Sequence, residues 1–265
     1  MYRLTPAILA SALLATSAAA VPVDLTGWTS NSYTNGTWTI QNPPANDSVR
    51  QSVNGDPTLF FDPGTTAQGT QLSGTITVRD GAGDDDFIGF ALGYEDDEIN
   101  SASADFILID WKKNTQNYFG SVANAGLALS RISGDLSSVD LLGTYWGHET
   151  GSNANEIARA TTLGATGWVT NQTYTFDLVF LPTLIQVYVD SVLQLSVTSA
   201  QAGVAAFDDG AFAFYNYSQA NVEYAGITEE ILPPPPPTGV PAPGAIALLG
   251  LGVAGMAGLR RRRAD

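Results

Sequence analysis

Large hydrophobic residues recur at every second position over much of this chain. Ile88, Phe90, Leu92 and Tyr94 share one parity, and Gly89, Ala91 and Gly93 share the other. Tyr174, Phe176, Leu178 and Phe180 alternate with Thr175, Asp177 and Val179. Ile185, Val187 and Val189 alternate with Gln186, Tyr188 and Asp190. Successive side chains of an extended backbone point to opposite faces, so this period predicts half-buried strands. Small residues opposite large ones predict a sheet packed closely on a second layer. Further strands are predicted at 74–79, 105–112, 127–132, 192–197, 211–217 and 222–227. Pro182-Thr183 fits a hairpin connection, and Asp190-Ser191 fits a second turn. Residues 21–232 hold no long amphipathic helical pattern and no internal repeat. The expectation is an all-β, two-sheet antiparallel sandwich.

Both ends of the chain differ in kind from this region. Residues 1–20 carry one early charge, Arg3, then an apolar run, then Ala18-Ala19-Ala20. That order predicts a signal peptide cleaved after Ala20, with Val21 opening the mature domain. Prolines 233–237 are unbroken, and residues 233–239 read as a stiff polyproline spacer of about 3 Å per residue. Residues 240–265 begin with Val240-Pro241-Ala242-Pro243 and continue into a Gly- and Ala-rich apolar run. They close on Arg260, Arg261, Arg262 and Arg263. The apolar run falls short of the roughly 20 residues of a comfortable membrane helix. The arginines would hold its far end in the cytoplasm. A short span pinned on one side suits a temporary anchor. This three-part tail resembles the PEP-CTERM sorting signal of Gram-negative bacteria, with Val-Pro-Ala-Pro where Val-Pro-Glu-Pro is commonest. The resemblance implies processing by an exosortase-type transpeptidase, a transient inner-membrane anchor, and delivery to the outer surface or extracellular matrix.

Charge narrows the choice of partner. The chain has 11 basic and 26 acidic residues. Without Arg3, the four terminal arginines and Asp265, the mature domain carries about −19. Phosphate binding needs a basic footprint, so nucleic acid is excluded as a partner. Divalent cations and neutral sugars remain compatible. The chain has no cysteine, so it has neither disulfides nor thiol chemistry. Roughly 200 residues between the two signals suffice to bury one core without staples.

The run Asp84-Asp85-Asp86-Phe87-Ile88-Gly89-Phe90-Ala91-Leu92-Gly93-Tyr94 resembles the thrombospondin C-terminal domain. Similar strings occur in the family's order on both sides of it. Upstream are Trp38-Thr39-Ile40 and Val49-Arg50-Gln51-Ser52-Val53-Asn54-Gly55-Asp56-Pro57. Downstream are Asp110-Trp111-Lys112-Lys113-Asn114, Trp146-Gly147-His148-Glu149 and Gly167-Trp168. The likeness extends over about 38–227. It implies a lectin-like jelly roll, calcium binding, and adhesion in an extracellular matrix. The calcium-rich Asp repeats that precede the domain in thrombospondins are absent here.

Clustered carboxylates repel one another unless a cation or solvent screens them. Calcium takes six to eight oxygens from carboxylates and loop carbonyls. Asp84, Asp85 and Asp86 are therefore the candidate Ca2+ ligands, with Asp56 as a further one; a solvated acidic turn is the alternative. The spacing is not that of an EF-hand. Glu95-Asp96-Asp97-Glu98 reads as a solvated loop, and Asp208-Asp209 reads as a turn. His148 is the only histidine and reads as a packing residue. Trp111, Tyr118, Tyr145, Trp146 and Trp168 are aromatic enough to stack on sugars, although most such rings pack cores. No predicted strand presents the carboxylate pair that glycoside hydrolysis needs. The sequence thus reads as a non-catalytic, calcium-supported adhesin binding an exopolysaccharide or a matrix or surface protein. A carbohydrate-binding module is the alternative, and a glycoside hydrolase a more distant one.

Overall fold

The structure is a computed structural model that describes residues 19–81 and 83–233. Residues 1–18, most of the proline run, Val240 to Pro243 and the four terminal arginines lie outside the described residues. Ala19 and Ala20 are exposed and lead directly into the first strand.

In chain order the first strands are β1 (Val21–Pro22), β2 (Thr29–Ser32), β3 (Trp38–Gln41), β4 (Ser48–Gln51) and β5 (Thr58–Phe61). Next come β6 (Thr70–Val78), β7 (Phe87–Tyr94), β8 (Ala104–Lys112), β9 (Gln116–Tyr118), β10 (Ser121–Ala123) and β11 (Gly126–Gly134). The last are β12 (Ala154–Arg159), β13 (Thr173–Leu181), β14 (Leu184–Val189), β15 (Val192–Thr198), β16 (Ala211–Tyr217) and β17 (Val222–Ile231). One sheet runs β15-β14-β13-β6-β17-β4-β3, with β1 also paired to β17. The other runs β12-β11-β8-β7-β16-β5-β2. The hairpin β9-β10 stands apart. All pairings are antiparallel, so the expected two-sheet sandwich is the fold observed. Among the described residues no helix is long and apolar enough to cross a membrane.

Local chemistry sets the hairpins. Leu181 pairs with Leu184 across Pro182-Thr183, and Val189 pairs with Val192 across Asp190-Ser191. Asp190 and Ser191 both have positive φ, 49° and 62°, as a type I′ turn requires. The Asp190 carboxylate accepts the Thr175 N–H at 2.9 Å and fixes that turn to the neighbouring strand.

The main core lies between the sheets. Phe90, Ile109 and Phe214 from one sheet meet Phe176, Leu178 and Tyr224 from the other. The Phe214 and Tyr224 rings stack at 4.4 Å. The Tyr224 hydroxyl donates toward the carbonyls of Gly89 and Tyr215, at 3.1 and 2.8 Å, tying the two sheets across the core.

Two sequence expectations need correction here. First, β7 is not half-buried: all eight of its residues are buried. A second apolar cluster covers the outer face of its sheet. Ala91, Phe106, Leu108 and Tyr215 pack there against Ile99, Leu136, Tyr145 and Trp146 from the connecting segments. Second, Tyr94 does not share a face with Ile88, Phe90 and Leu92. Leu92 pairs with Phe212 and Tyr94 with Ala211, so Gly93 is an extra residue in the ladder. Gly93 has φ 73°, and this glycine bulge turns Tyr94 into the outer cluster.

Candidate functional site

The acidic run Asp84–Asp86 enters β7 through a left-handed bend at Gly81 and Gly83, φ 92° and 64°. Its backbone is pinned from three sides. Trp168 Nε1 donates to the Asp86 carbonyl at 2.9 Å, the Lys113 N–H to the Asp85 carbonyl at 3.2 Å, and Gln219 Oε1 accepts the Asp86 N–H at 3.0 Å. The three carboxylates can place one oxygen each within 4.8 Å of one another, two half-buried and one buried.

Sequence reasoning missed the residue beneath them. Lys112, at the end of β8, is fully buried. Its ammonium bonds to Asp86 Oδ1 and Gln116 Oε1, and lies 3.3 Å from the Asp85 carbonyl. It also rests 4.5 Å from the Trp146 ring centroid and 5.2 Å from that of Phe87. A buried charge is tolerated only when paired, and here the pairing is complete. The available signal was Asp110 and Lys112 following the apolar run Phe106 to Ile109 within one strand.

Lys112 divides the roles of the acids. Burial raises Asp86, Lys112 pulls it down and the nearby Asp84 raises it again; the balance leaves it at about 6. Asp84 and Asp85 are more open. Asp84 accepts from Asn54 and from the Asp85 N–H, and Asp85 Oδ2 accepts from Asn114 at 2.8 Å. The other Asp85 oxygen is buried without a hydrogen-bond partner, 3.8 Å from the Lys112 ammonium. An orphaned buried carboxylate oxygen beside a second carboxylate is a donor set that suits a hard cation. The structure does not bring Asp56 into that group. Its carboxylate accepts from the Thr34 hydroxyl at 2.7 Å and lines a neighbouring cleft of about 550 Å³, which it shares with Asp86.

The other acids serve the backbone. Glu98 is not solvated as expected: it is buried and accepts the N–H groups of Glu95 and Asp105 at 2.9 and 2.7 Å. Asp209 accepts the N–H groups of Gln68 and Gly210 at 3.0 and 2.8 Å, which makes it a turn residue.

The His148 side chain is buried, with Nε2 3.0 Å from Asp110 Oδ2 and Nδ1 3.6 Å from Glu156 Oε2. Ser130 Oγ stands 3.5 Å from Nδ1. Burial alone would lower the imidazole, but Asp110 and then Glu156 outweigh it and carry it up to about 9. The ring is therefore a cation at neutral pH. Ser130, whose hydroxyl is the one beside Nδ1, is itself fully buried. Trp111, Tyr145, Trp146 and Trp168 are also buried, whereas Tyr118 is 55% exposed.

Residues 33–231 match the thrombospondin C-terminal region. The chain belongs to the thrombospondin C-terminal family. It is 32% identical over 115 residues to thrombospondin-3b of Danio rerio, covering 41% of this chain and 11% of that protein. It has the same identity over the same length with cartilage oligomeric matrix protein of Rattus norvegicus, of which 14% is covered. The chain thus spans only a small part of the curated relatives it matches. Among solved structures, it resembles the carbohydrate binding module CBM66 from Bacillus subtilis at 15% identity and TM-score 0.51, over 77% of this chain and 96% of that one. A Bacillus subtilis protein with a galectin-like fold matches at 11% identity and TM-score 0.51, over 82% and 97%. At such identities the likeness is one of fold.

Proposed function

We propose that this member of the thrombospondin C-terminal family is an exported, non-catalytic adhesion module whose acidic loop is tied together by calcium. The observation that carries the reading is the orphaned Asp85 oxygen beside Asp84, with Asp86 already satisfied by Lys112. In this reading Asp84 and Asp85 hold the ion, and loop carbonyls and water complete its shell. Asp86 and Lys112 hold the loop in position. When bound, the ion cancels the repulsion between adjacent carboxylates and stiffens the loop against β7. Its role is structural.

The two chain ends supply the route. A signal peptide ending at Ala20 exports the domain, and the tail from Val240 to the arginine cluster anchors it until an exosortase-type enzyme cuts near the Pro motif. The processed protein then rests on the outer surface or in the matrix of a Gram-negative bacterium and adheres to polysaccharide or protein there.

Calcium titration into the chelator-treated full chain, followed by calorimetry and thermal melting, tests the cation reading. Calcium is expected to raise the melting temperature and EDTA to lower it, with both effects lost in Asp85→Asn. Melting indifferent to EDTA overturns the reading. Mass spectrometry of the native surface protein tests the route, since a mature form that retains Arg260 to Arg263 contradicts it.

A further inference from the structure

We infer that the cleft beside the acidic loop is a binding site for a neutral glycan, recognised directly by side chains rather than through a cation. This goes beyond the calcium reading and does not depend on it. At about 550 Å³ the cleft has the capacity of a small-ligand site, typically about 300–1,000 Å³. Its lining joins two chemistries. Tyr118 and Trp146 supply aromatic surface; Asp56, Asn35, Asn54 and Gln116 supply hydrogen-bonding groups. Sugars present that same combination, with C–H faces that stack on rings and hydroxyls that both donate and accept.

The aromatic part is fixed in advance. The hairpin β9-β10 turns through Phe119, φ 48°, and leaves Tyr118 and Phe119 exposed by 55% and 88%. Their rings meet edge to face at 4.6 Å, and Tyr118 leans on Trp146 at 5.8 Å. Trp146 is held in turn by the Lys112 ammonium below and by Tyr217 at 6.0 Å. Two adjacent aromatic rings in water are costly to expose and are characteristic of binding surfaces. The Trp146 indole N–H is buried and has no hydrogen-bond partner.

Charge selects the class of sugar. Asp56 and Asp86 both line the cleft. The Lys112 ammonium that bonds to the lining residues Asp86 and Gln116 is fully buried. An acidic sugar would meet the Asp56 carboxylate with no Lys or Arg among the described lining residues to offset it, whereas a neutral hydroxyl can donate to Asp56. The ligand is therefore a neutral glycan, not a uronate.

The full chain, in parallel buffers with EDTA and with calcium, is applied to a glycan array of neutral, amino-sugar and uronate ligands. The neutral glycan retained best is then titrated by calorimetry. Retention of neutral glycans is expected. Affinity should fall about tenfold or more in Tyr118→Ala and in Asp56→Ala and be largely kept in Tyr118→Phe, with unchanged melting in all three. Retention of no neutral glycan, preference for uronates, or affinity untouched by both alanine variants overturns the inference. Binding that needs calcium also overturns it, while leaving the cation reading intact.

Discussion

His148 Nε2 lies 3.0 Å from the Asp110 carboxylate, and both side chains are buried on the covered face of one sheet. Glu156 closes the group from β12 and is itself bonded to Arg159. Because the folded pKa of about 9 exceeds the unfolded value of about 6.5, folding takes up a proton between those limits.

The stabilisation from His148 is therefore complete below about pH 6.5 and lost as pH rises through about 9. It is on the order of 3 kcal/mol. Urea denaturation from pH 6 to 10 should show stability falling across that window. His148→Gln should be less stable at pH 6, because Asp110 loses its partner, and should lose most of the slope. An equally steep decline in the variant would show that another group is responsible.

Lys112→Met should cost about 3–5 kcal/mol, because it strands a buried Asp86 carboxylate. Adding Asp86→Asn should recover part of that loss, since both members of the pair are then uncharged. A double-mutant cycle by chemical denaturation reads the coupling directly. Additive losses would show that Lys112 acts by filling space against Trp146 and Phe87.

Gly93→Ala should cost more than Gly64→Ala, although both glycines have φ between 70° and 80°. A Cβ at Gly93 would lie 2.5 Å from the Asp208 carbonyl oxygen, whereas one at Gly64 meets nothing within 4 Å. The expected losses are about 1 kcal/mol at Gly64 and about 2 kcal/mol or more at Gly93. Equal losses would mean that backbone conformation alone accounts for both.

The long strands were legible because period two is a direct record of sheet geometry. The strand predicted at 211–217 coincides with β16, and those at 105–112 and 127–132 fall within β8 and β11. The short strands β2 to β5 were not, since four residues such as Thr29–Ser32 hold too few repeats to show a period. The outer cluster stayed hidden for another reason. Ala91 and Ala213 are too small to mark a buried face by themselves, and their partners Tyr145 and Trp146 come from a turn far along the chain. At the acidic loop, the Asp run was visible and its counter-ion was not. Lys112 is 26 residues from Asp86, and only the β7-β8 pairing, Phe87 opposite Lys112, brings them together.

The cleft residues Tyr217 and Ser218 stand just before β17, and the described domain leaves from that strand's other end at Ile231. Ten extended residues separate the two points by about 30 Å. Tension between something gripped in the cleft and whatever follows Pro233 would run lengthwise along β17. That strand lies between β6 and β4. Such a load shears many backbone bonds at once instead of peeling them singly, so the exit strand is oriented to bear pull.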